Sequence, residues 1–166
     1  MSVIADTARV AVLLADYAQA DAVKKINMLG AGWQVTELDP GTGITAPQTL
    51  VVMIDIAPAH VGEIYALEVA LYDDGGDLVL VPGPTGDLIP LRIGQSVTAE
   101  PPVFPGRQVP KGSLWAHQQM VLNFPGGLAL AAGRAYTWQV RIDGDTSHDW
   151  GMTFFVAGAP ASLVIG

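Results

Sequence analysis

Apolar and polar residues alternate one by one over many short stretches of this chain, and no other feature of the sequence restricts the fold as strongly. A period of two places every second side chain on one face of an extended strand, so that one face is buried and the other is wet. The alternation is clearest over residues 136–142, and it resumes over residues 150–156 after a segment rich in Asp, Gly and Ser. The two runs predict a β-hairpin near the C-terminus.

The same alternation predicts strands elsewhere in the chain. Residues 50–56 and residues 115–124 each fit one strand. Residues 65–71 alternate as well, and a turn-forming segment, residues 73–77, separates them from the apolar run of residues 78–81. We therefore predict a second hairpin, in which residues 78–81 pair with residues 65–71.

The first thirty residues fit two interpretations. Val10, Val12 and Leu14 alternate as in a strand, whereas residues 13–29 are rich in Ala, Lys, Leu and Met, which favour helix. We favour the strand interpretation. It predicts a turn near residues 18–22 and further strands over residues 24–29 and 33–38.

Composition and one motif together predict the fold class. With 166 residues, half of them apolar, the chain suits one well-buried core, so we expect a single domain over residues 1–166. Gly133-x-x-Tyr136, ahead of an alternating strand, resembles the tyrosine corner, in which a Tyr hydroxyl bonds to the preceding crossover and the flanking strands belong to opposite sheets. An ordinary core Tyr is the alternative. The expected fold is all-β: an immunoglobulin-like antiparallel β-sandwich with Greek-key connections and about seven to nine strands.

A proline-rich segment interrupts the strand pattern. Residues 101–112 hold four prolines and two glycines, too many for a strand inside a ladder, and we interpret them as a long crossover loop within the domain. The loop carries Val103, Phe104 and Val109, and apolar residues on a long loop either pin it to the core or contact a partner. We favour pinning. If these side chains are exposed, self-association is the first property to test.

The charge balance excludes some partners. A formal charge of −8, with no basic cluster larger than Lys24-Lys25, argues against a nucleic-acid partner. No run of about 18 apolar residues exists, so we predict no membrane-spanning segment. The N-terminal stretch lacks the basic start of a secretory signal peptide and the chain has no cysteine, so we expect a cytoplasmic protein without disulfides.

Two aspartate-rich turns are the main candidates for ligand chemistry. Hard cations such as calcium bind about six to eight oxygen ligands, so two neighbouring acidic loops could form a cation site. Asp is also favoured in hairpin turns for its local hydrogen bonds, and we favour this structural interpretation, with calcium as the alternative cofactor. The candidate residues are Asp73, Asp74 and Asp77 in one turn and Asp143, Asp145 and Asp149 in the other.

Catalytic signatures are absent from the sequence. His60, His117 and His148 have no metal-binding spacing, and none of the serines lies in a G-x-S-x-G elbow. We therefore assign no catalytic residue. An enzyme would require a pocket that joins His148, Asp149 and a Ser or Glu.

Two N-terminal stretches resemble a known sequence pattern. LLADYA at residues 13–18, Asp21, and KINMLGAGW at residues 25–33 resemble an uncharacterised family of small, mainly actinobacterial proteins, and the similarity continues through residues 60–77 and the Gly133-x-x-Tyr136 segment. The resemblance implies a cytoplasmic β-rich domain without assigned activity. Lys24 stands where that pattern usually has a small residue such as Gly.

These observations predict a non-catalytic protein-binding or assembly module that acts through the crossover loop or through an exposed strand edge. The first alternative is a divalent-cation or carbohydrate-binding domain that uses the two Asp-rich turns. A hydrolase is the second alternative.

Overall fold

The computed structural model describes residues 2–158, and the chain is mostly β, with 52% of its residues in strands and 5% in helix, which confirms the all-β class. The described elements are a short helix, a 3₁₀ turn at Pro58–His60 and twelve strands: α1 Val3–Thr7, β1 Arg9–Ala15, β2 Tyr17–Ala20, β3 Ile26–Leu29, β4 Val35–Glu37, β5 Gln48–Ile56, β6 Ile64–Asp73, β7 Leu80–Pro82, β8 Leu88–Pro90, β9 Arg92–Thr98, β10 Ala116–Phe124, β11 Arg134–Ile142 and β12 Trp150–Ala157.

Two sheets make up the body of the protein. The smaller sheet has the order β1-β5-β10, and the larger has the order β4-β12-β11-β6-β9. Neighbouring strands are antiparallel except for β4, which runs parallel to β12. Two short ribbons, β2-β3 and β7-β8, pair outside these sheets. The chain therefore crosses between the sheets from β1 to β4 by way of the ribbon β2-β3, and then from β4 to β5, from β5 to β6, from β9 to β10 and from β10 to β11.

One hydrophobic cluster joins the buried residues of both sheets. Phe124 of the smaller sheet stacks on Trp138 of the larger, with ring centroids 5.4 Å apart. Each large side chain buried in this way contributes roughly 1.5–3 kcal/mol to stability. The alternate positions predicted to face inward are buried: Leu50, Val52, Ile54 and Ile56 on β5, and Tyr136, Trp138, Val140 and Ile142 on β11. On β5 the other face is partly covered as well, since Gln48, Thr49 and Val51 are also buried.

Most of the predicted strands are confirmed. The C-terminal hairpin is β11-β12, and residues 13–29 form strands and a turn instead of a helix. The helix α1 was not predicted, because five residues are too few for a recognisable period. The Ser2 hydroxyl accepts a hydrogen bond from the Ala5 N–H at 3.3 Å and caps it, and Ile4 and Ala5 are buried. No helix of the described residues is long and apolar enough to cross a membrane.

The predicted pairing of residues 78–81 with residues 65–71 is wrong for most of its length. β6 takes β9 as its ladder partner on that side, and the residues after the turn form the separate ribbon β7-β8. Near the turn, a single bridge joins Tyr72 to Leu78. Pro82 and Pro90 have no N–H to donate, which suits a short ribbon better than the ladder of a long strand.

Tyr136 ties β11 to the crossover that precedes it. Its hydroxyl accepts a hydrogen bond from the Ala131 N–H at 2.9 Å and donates to the Ala131 carbonyl at 3.3 Å. The strands on either side of this crossover, β10 and β11, belong to different sheets. The two features expected of a tyrosine corner at this position, the hydroxyl bond to the crossover and the change of sheet across it, are therefore both present.

Lys24 lies in the turn between β2 and β3 with φ at 62°, in the left-handed region that favours glycine. A small residue such as Gly would adopt this conformation with less strain. Lys24 also forms an ion pair with Glu100, which connects the turn to the residue that precedes the proline-rich crossover.

Candidate functional site

The predicted crossover loop is confirmed between β9 and β10, and a tight turn shapes its tip. The Arg107 N–H donates a hydrogen bond to the Phe104 carbonyl at 3.1 Å, and Gly106 has φ at 74°. Proline at the second turn position followed by glycine with positive φ is typical of a type II turn, so Pro105 and Gly106 form its corner. The turn places Phe104 and Arg107 next to each other at the tip of the loop.

The apolar side chains of this loop are mostly exposed. Val103 keeps 85% of its accessible surface, Phe104 keeps 60% and Leu114 keeps 51%. Val109 is half-buried. The expectation that this loop is pinned to the core is therefore wrong for Val103 and Phe104, because the tight turn holds both side chains on the outside of the loop.

We define the crossover surface as Val103, Phe104, Arg107, Lys111 and Leu114. A concavity of about 680 Å³ opens among these side chains, with Lys111 at the margin of a neighbouring one. Arg107 and Lys111 are exposed and form no salt bridge with the described residues. Residues 101–116 contain no Asp or Glu, although the whole chain has a formal charge of −8. The crossover surface is thus an apolar patch with local positive charge on an acidic protein.

The first Asp-rich turn uses its carboxylates for local structure. Asp73 Oδ1 accepts hydrogen bonds from the N–H groups of Gly75 and Asp77 at 2.9 and 3.0 Å. Arg134 donates to both Asp73 and Asp74. The hydrogen bond from Arg134 holds the pKa of Asp74 below its usual value. These contacts support the structural interpretation for this turn.

The second Asp-rich turn fastens the N-terminal residues to the end of β11. Asp143, at a φ of 52°, accepts hydrogen bonds from the Ala66 N–H at 2.8 Å and from the Ser2 hydroxyl at 2.6 Å. Asp145 is buried and accepts from the Ser147 hydroxyl and from the N–H groups of Ser147 and Ser2. These bonds, that of the Ser147 hydroxyl foremost, lower the pKa of Asp145 to about 2.

Asp73 and Asp143, the first aspartates of the two Asp-rich turns, lie at opposite ends of the larger sheet. Asp73 is opposite Tyr136 at the start of β11, whereas Asp143 follows the end of β11 and bonds to Ala66. Asp73 and Ala66 are seven positions apart on β6, a distance of about 23 Å. Among residues 2–158, no group of three or more His, Asp or Glu side chains is placed to hold a metal ion. The geometry therefore does not unite the six aspartates in one site: Asp73, Asp74 and Asp149 line one groove, whereas Asp143 and Asp145 bond to the N-terminal residues.

A polar groove of about 600 Å³ runs over the outer face of the larger sheet. The Arg141 guanidinium lies 5.5 Å from the centre of the Tyr72 ring and 3.6 Å from a carboxylate oxygen of Glu68, so it is held in place. The volume is typical of small-molecule sites. The groove is lined by Tyr72 on β6, by Thr137, Gln139 and Arg141 on β11, and by residues of both Asp-rich turns, including Asp73, Asp74, Ser147, His148 and Asp149.

Ser147, His148 and Asp149 line this groove together, but they do not form a nucleophile and base pair. The Ser147 hydroxyl donates to Asp145, and His148 Nε2 lies 3.4 Å from Asp6. No hydrogen bond joins Ser147 to His148 in the described groove.

The other histidines have their own carboxylate neighbours. His60 Nδ1 lies 3.1 Å from Glu63, and His117 Nδ1 lies 2.6 Å from Asp55. Neither of these histidines lines the polar groove. The three histidines thus belong to three separate surroundings within the described part of the chain.

Sequence reasoning missed the polar groove. The alternation placed Gln139 and Arg141 on the wet face of β11, but their neighbours on that face come from β6, which is distant in sequence. The register sets Arg141 opposite Glu68 and Thr137 opposite Tyr72. The polar residues on the outer faces of β6 and β11 could have indicated the groove. The sequence does not show that these two strands pair.

Comparison with known proteins found no matching family model, no similar curated protein and no similar solved structure. The crossover surface and the polar groove differ in the chemical groups that they expose. The crossover surface offers exposed apolar side chains beside two positive charges. The polar groove offers hydrogen-bonding groups, an aromatic ring and a fixed guanidinium.

Proposed function

We propose that the scaffold is an immunoglobulin-like Greek-key sandwich. The order of the strands supports this, because β6 pairs with β9 and β11 with β12 in the larger sheet, while the connections between β5 and β6 and between β10 and β11 change sheet. The bond from Tyr136 to the crossover supports it as well. The two sheets hold three and five strands, in line with the expected strand number.

We propose that this domain is a non-catalytic protein-binding or assembly module of the cytoplasm and that the crossover surface is its contact site. The observation that carries the proposal is the exposure of Val103 and Phe104 beside a tight turn. Because prolines restrict this loop, binding through it costs little further backbone entropy. Arg107 and Lys111 beside an apolar centre match the usual anatomy of an interface, in which polar groups surround apolar ones.

The test of this proposal uses the chain purified by affinity from its own host, with the native mass of the assembly measured. We expect a species heavier than the 17.4 kDa chain for the wild type and its loss in Phe104→Asp. Phe155→Asp is the matched control, since Phe155 is an exposed aromatic residue on the outer face of β12. A mass equal to that of the single chain for the wild type, or equal assemblies in all three proteins, contradicts the proposal.

A carbohydrate-binding domain is the second candidate, and the polar groove favours it over a cation site. Sugars bind through hydrogen bonds to amide, hydroxyl and charged groups and through stacking on aromatic rings, and Gln139, Arg141 and Tyr72 offer these groups side by side. Calcium is less suited to the same place, because Asp73 already accepts two backbone N–H bonds and Asp74 bonds to Arg134.

An NMR titration with neutral oligosaccharides tests this second candidate. We expect shifts of the amide signals of Thr137, Gln139 and Arg141, which Tyr72→Ala abolishes and the control Phe155→Ala retains. Thermal unfolding in calcium and in EDTA is the companion measurement, and we expect equal midpoints. A higher midpoint in calcium favours the cation alternative, and the absence of shifts with every sugar tested removes the carbohydrate candidate.

A further inference from the structure

The ribbon β7-β8 presents an apolar face to solvent. In its register Leu80 is opposite Pro90 and Pro82 is opposite Leu88, so these four side chains lie on the same face. All four are exposed, and Leu88 keeps 63% of its accessible surface. A two-stranded ribbon without cover on its apolar face gains little from burial, so a surface of this kind marks a contact site.

Acidic residues precede and connect the two strands of this ribbon in the sequence. Residues 73–91 contain four aspartates and no Lys, Arg or His. Arg134 pairs with Asp73 and Asp74, whereas Asp77 and Asp87 are exposed and form no salt bridge with the described residues. We define the ribbon surface by its apolar face and its two free acids: Asp77, Leu80, Pro82, Asp87, Leu88 and Pro90.

The ribbon surface is complementary to the crossover surface. Each has an exposed apolar centre, and each has two charged side chains without a salt bridge to the described residues, two acids on the ribbon and Arg107 and Lys111 on the crossover. Pro82 and Pro90 cannot donate a backbone N–H, so contact through the apolar face suits this ribbon better than addition of a strand to its edge.

The two surfaces lie at opposite ends of the larger sheet. Ile64, at the start of β6, is opposite Thr98, after which the crossover begins. The ribbon leaves at the other end, where Leu71 bonds through its backbone to Val79 and Leu91. One copy therefore cannot join its own two surfaces, but two copies can meet end to end.

We infer that a second copy of this chain occupies the crossover surface and that it does so with its ribbon surface, so that copies associate head to tail. The inference rests on the proposed assembly function and specifies the partner. Two different surfaces meet in such a contact, which makes it heterologous instead of two-fold symmetric. Phe104 seats against the apolar ribbon face, while Arg107 and Lys111 meet Asp77 and Asp87.

The first test is a mixing experiment by sedimentation velocity on the purified full chain. Phe104→Asp removes the crossover contact and Leu88→Asp removes the ribbon contact, and each raises the dissociation constant of self-association by at least about tenfold. Mixed together, the two variants form a dimer of twice the 17.4 kDa chain mass and nothing larger, because each retains one intact surface. Phe155→Asp associates like the wild type.

The second test exchanges the charges. Arg107→Glu with Lys111→Glu weakens association, and so does Asp77→Lys with Asp87→Lys. The protein with all four substitutions regains the association of the wild type, because both surfaces change sign. Glu37→Lys with Asp149→Lys, at two exposed acids outside both surfaces, controls for the net-charge change of Asp77→Lys with Asp87→Lys.

Each outcome separates this inference from the proposed function. If Leu88→Asp associates like the wild type, the head-to-tail contact is wrong, and a symmetric contact between crossover surfaces takes its place. If the purified chain stays monomeric while Phe104→Asp disrupts the assembly from the host, the partner is a different protein and only this inference fails. If Phe104→Asp changes neither the self-association of the purified chain nor the assembly from the host, both this inference and the proposed function fail.

Discussion

Side-chain hydrogen bonds to the backbone hold the connections of this protein at the scale of single residues. Tyr136 bonds to Ala131 in the crossover between the sheets, and Asp143 bonds to Ala66 beside the end of β11. Both side chains reach backbone groups outside the strand ladders, and each bond joins a connection to a neighbouring strand or crossover.

Removal of the Tyr136 hydroxyl tests the corner. We expect Tyr136→Phe to lower the free energy of unfolding by about 1 kcal/mol, because the Ala131 N–H loses its partner while the ring keeps its packing. Urea denaturation measures the change. Tyr17→Phe is the control, since the Tyr17 hydroxyl is exposed and bonds to Gln19 of the same strand. Equal stabilities of the two variants contradict the prediction.

Asp145 makes the stability depend on pH. Its pKa in the folded protein is lowered to about 2, below the ordinary value of 3.8, so its contribution is complete above the ordinary value and is lost as the pH falls towards about 2. We expect the difference in unfolding free energy between wild type and Asp145→Asn to shrink over this range. Thermal unfolding at a series of acidic pH values measures it.

Ser147→Ala provides a second measurement of the same effect. The Ser147 hydroxyl is the largest cause of the lowered pKa of Asp145, so its removal moves the pH range of the loss upwards. An Asp145→Asn difference that stays constant down to pH values near 2 contradicts this account.

At the scale of elements, alternation located the strands but did not determine their partners. The burial of every second residue from Tyr136 to Ile142 was predictable because a period of two is a property of one strand. The pairing of β6 with β9, and the separate ribbon between them, depends on contacts between distant segments, which local alternation does not encode.

The candidate sites follow the same rule. Val103 and Phe104 were selected from the sequence as apolar residues on a long loop, but their exposure depends on the turn at Pro105 and Gly106. The Asp-rich turns were located correctly, and the separation of Asp73 from Asp143 follows from the register of β11 against β6. The polar groove and the ribbon surface required the assembled sheet.

Substitution of Gly127 tests the turn in which β10 ends. The φ of Gly127 is 69°, and a Cβ there would overlap the Thr45 carbonyl oxygen. We expect Gly127→Ala to lower the free energy of unfolding by about 2–4 kcal/mol, because the alanine would be strained in the left-handed conformation and its Cβ would also clash with Thr45. Gly126→Ala is the matched control, since a Cβ at Gly126 meets nothing within 4 Å. Urea denaturation of both variants measures the contrast, and equal values contradict the prediction.

At the scale of the whole molecule, charge is unevenly distributed. The chain has a formal charge of −8, yet residues 101–116 carry Arg107 and Lys111 and no acid, while residues 73–91 carry four acids and no base. The segments lie at opposite ends of the larger sheet, so the two surfaces carry opposite local charge, although Glu63 and Asp143 also lie at the crossover end. Opposite local charge on two surfaces orients two approaching copies.

Salt tests the role of these charges. We expect self-association to weaken as sodium chloride is added, because charges on exposed side chains are screened beyond about 10 Å at 0.1 M ionic strength. Sedimentation velocity across a salt series measures the trend. Arg107→Gln with Lys111→Gln retains the apolar contact and loses most of the salt dependence. Association that strengthens with salt in the wild type contradicts the electrostatic part of the account.

The position of the two surfaces at the ends of β6 has a geometric consequence. β6 has ten residues and is about 33 Å long, so the proposed head-to-tail contact would displace successive copies along the strand axis by at least that length. In such a contact every added copy leaves one crossover surface and one ribbon surface uncovered at the ends of the assembly, so the contact itself sets no limit on the number of copies. The rotation between successive copies decides between a closed ring and an open fibre.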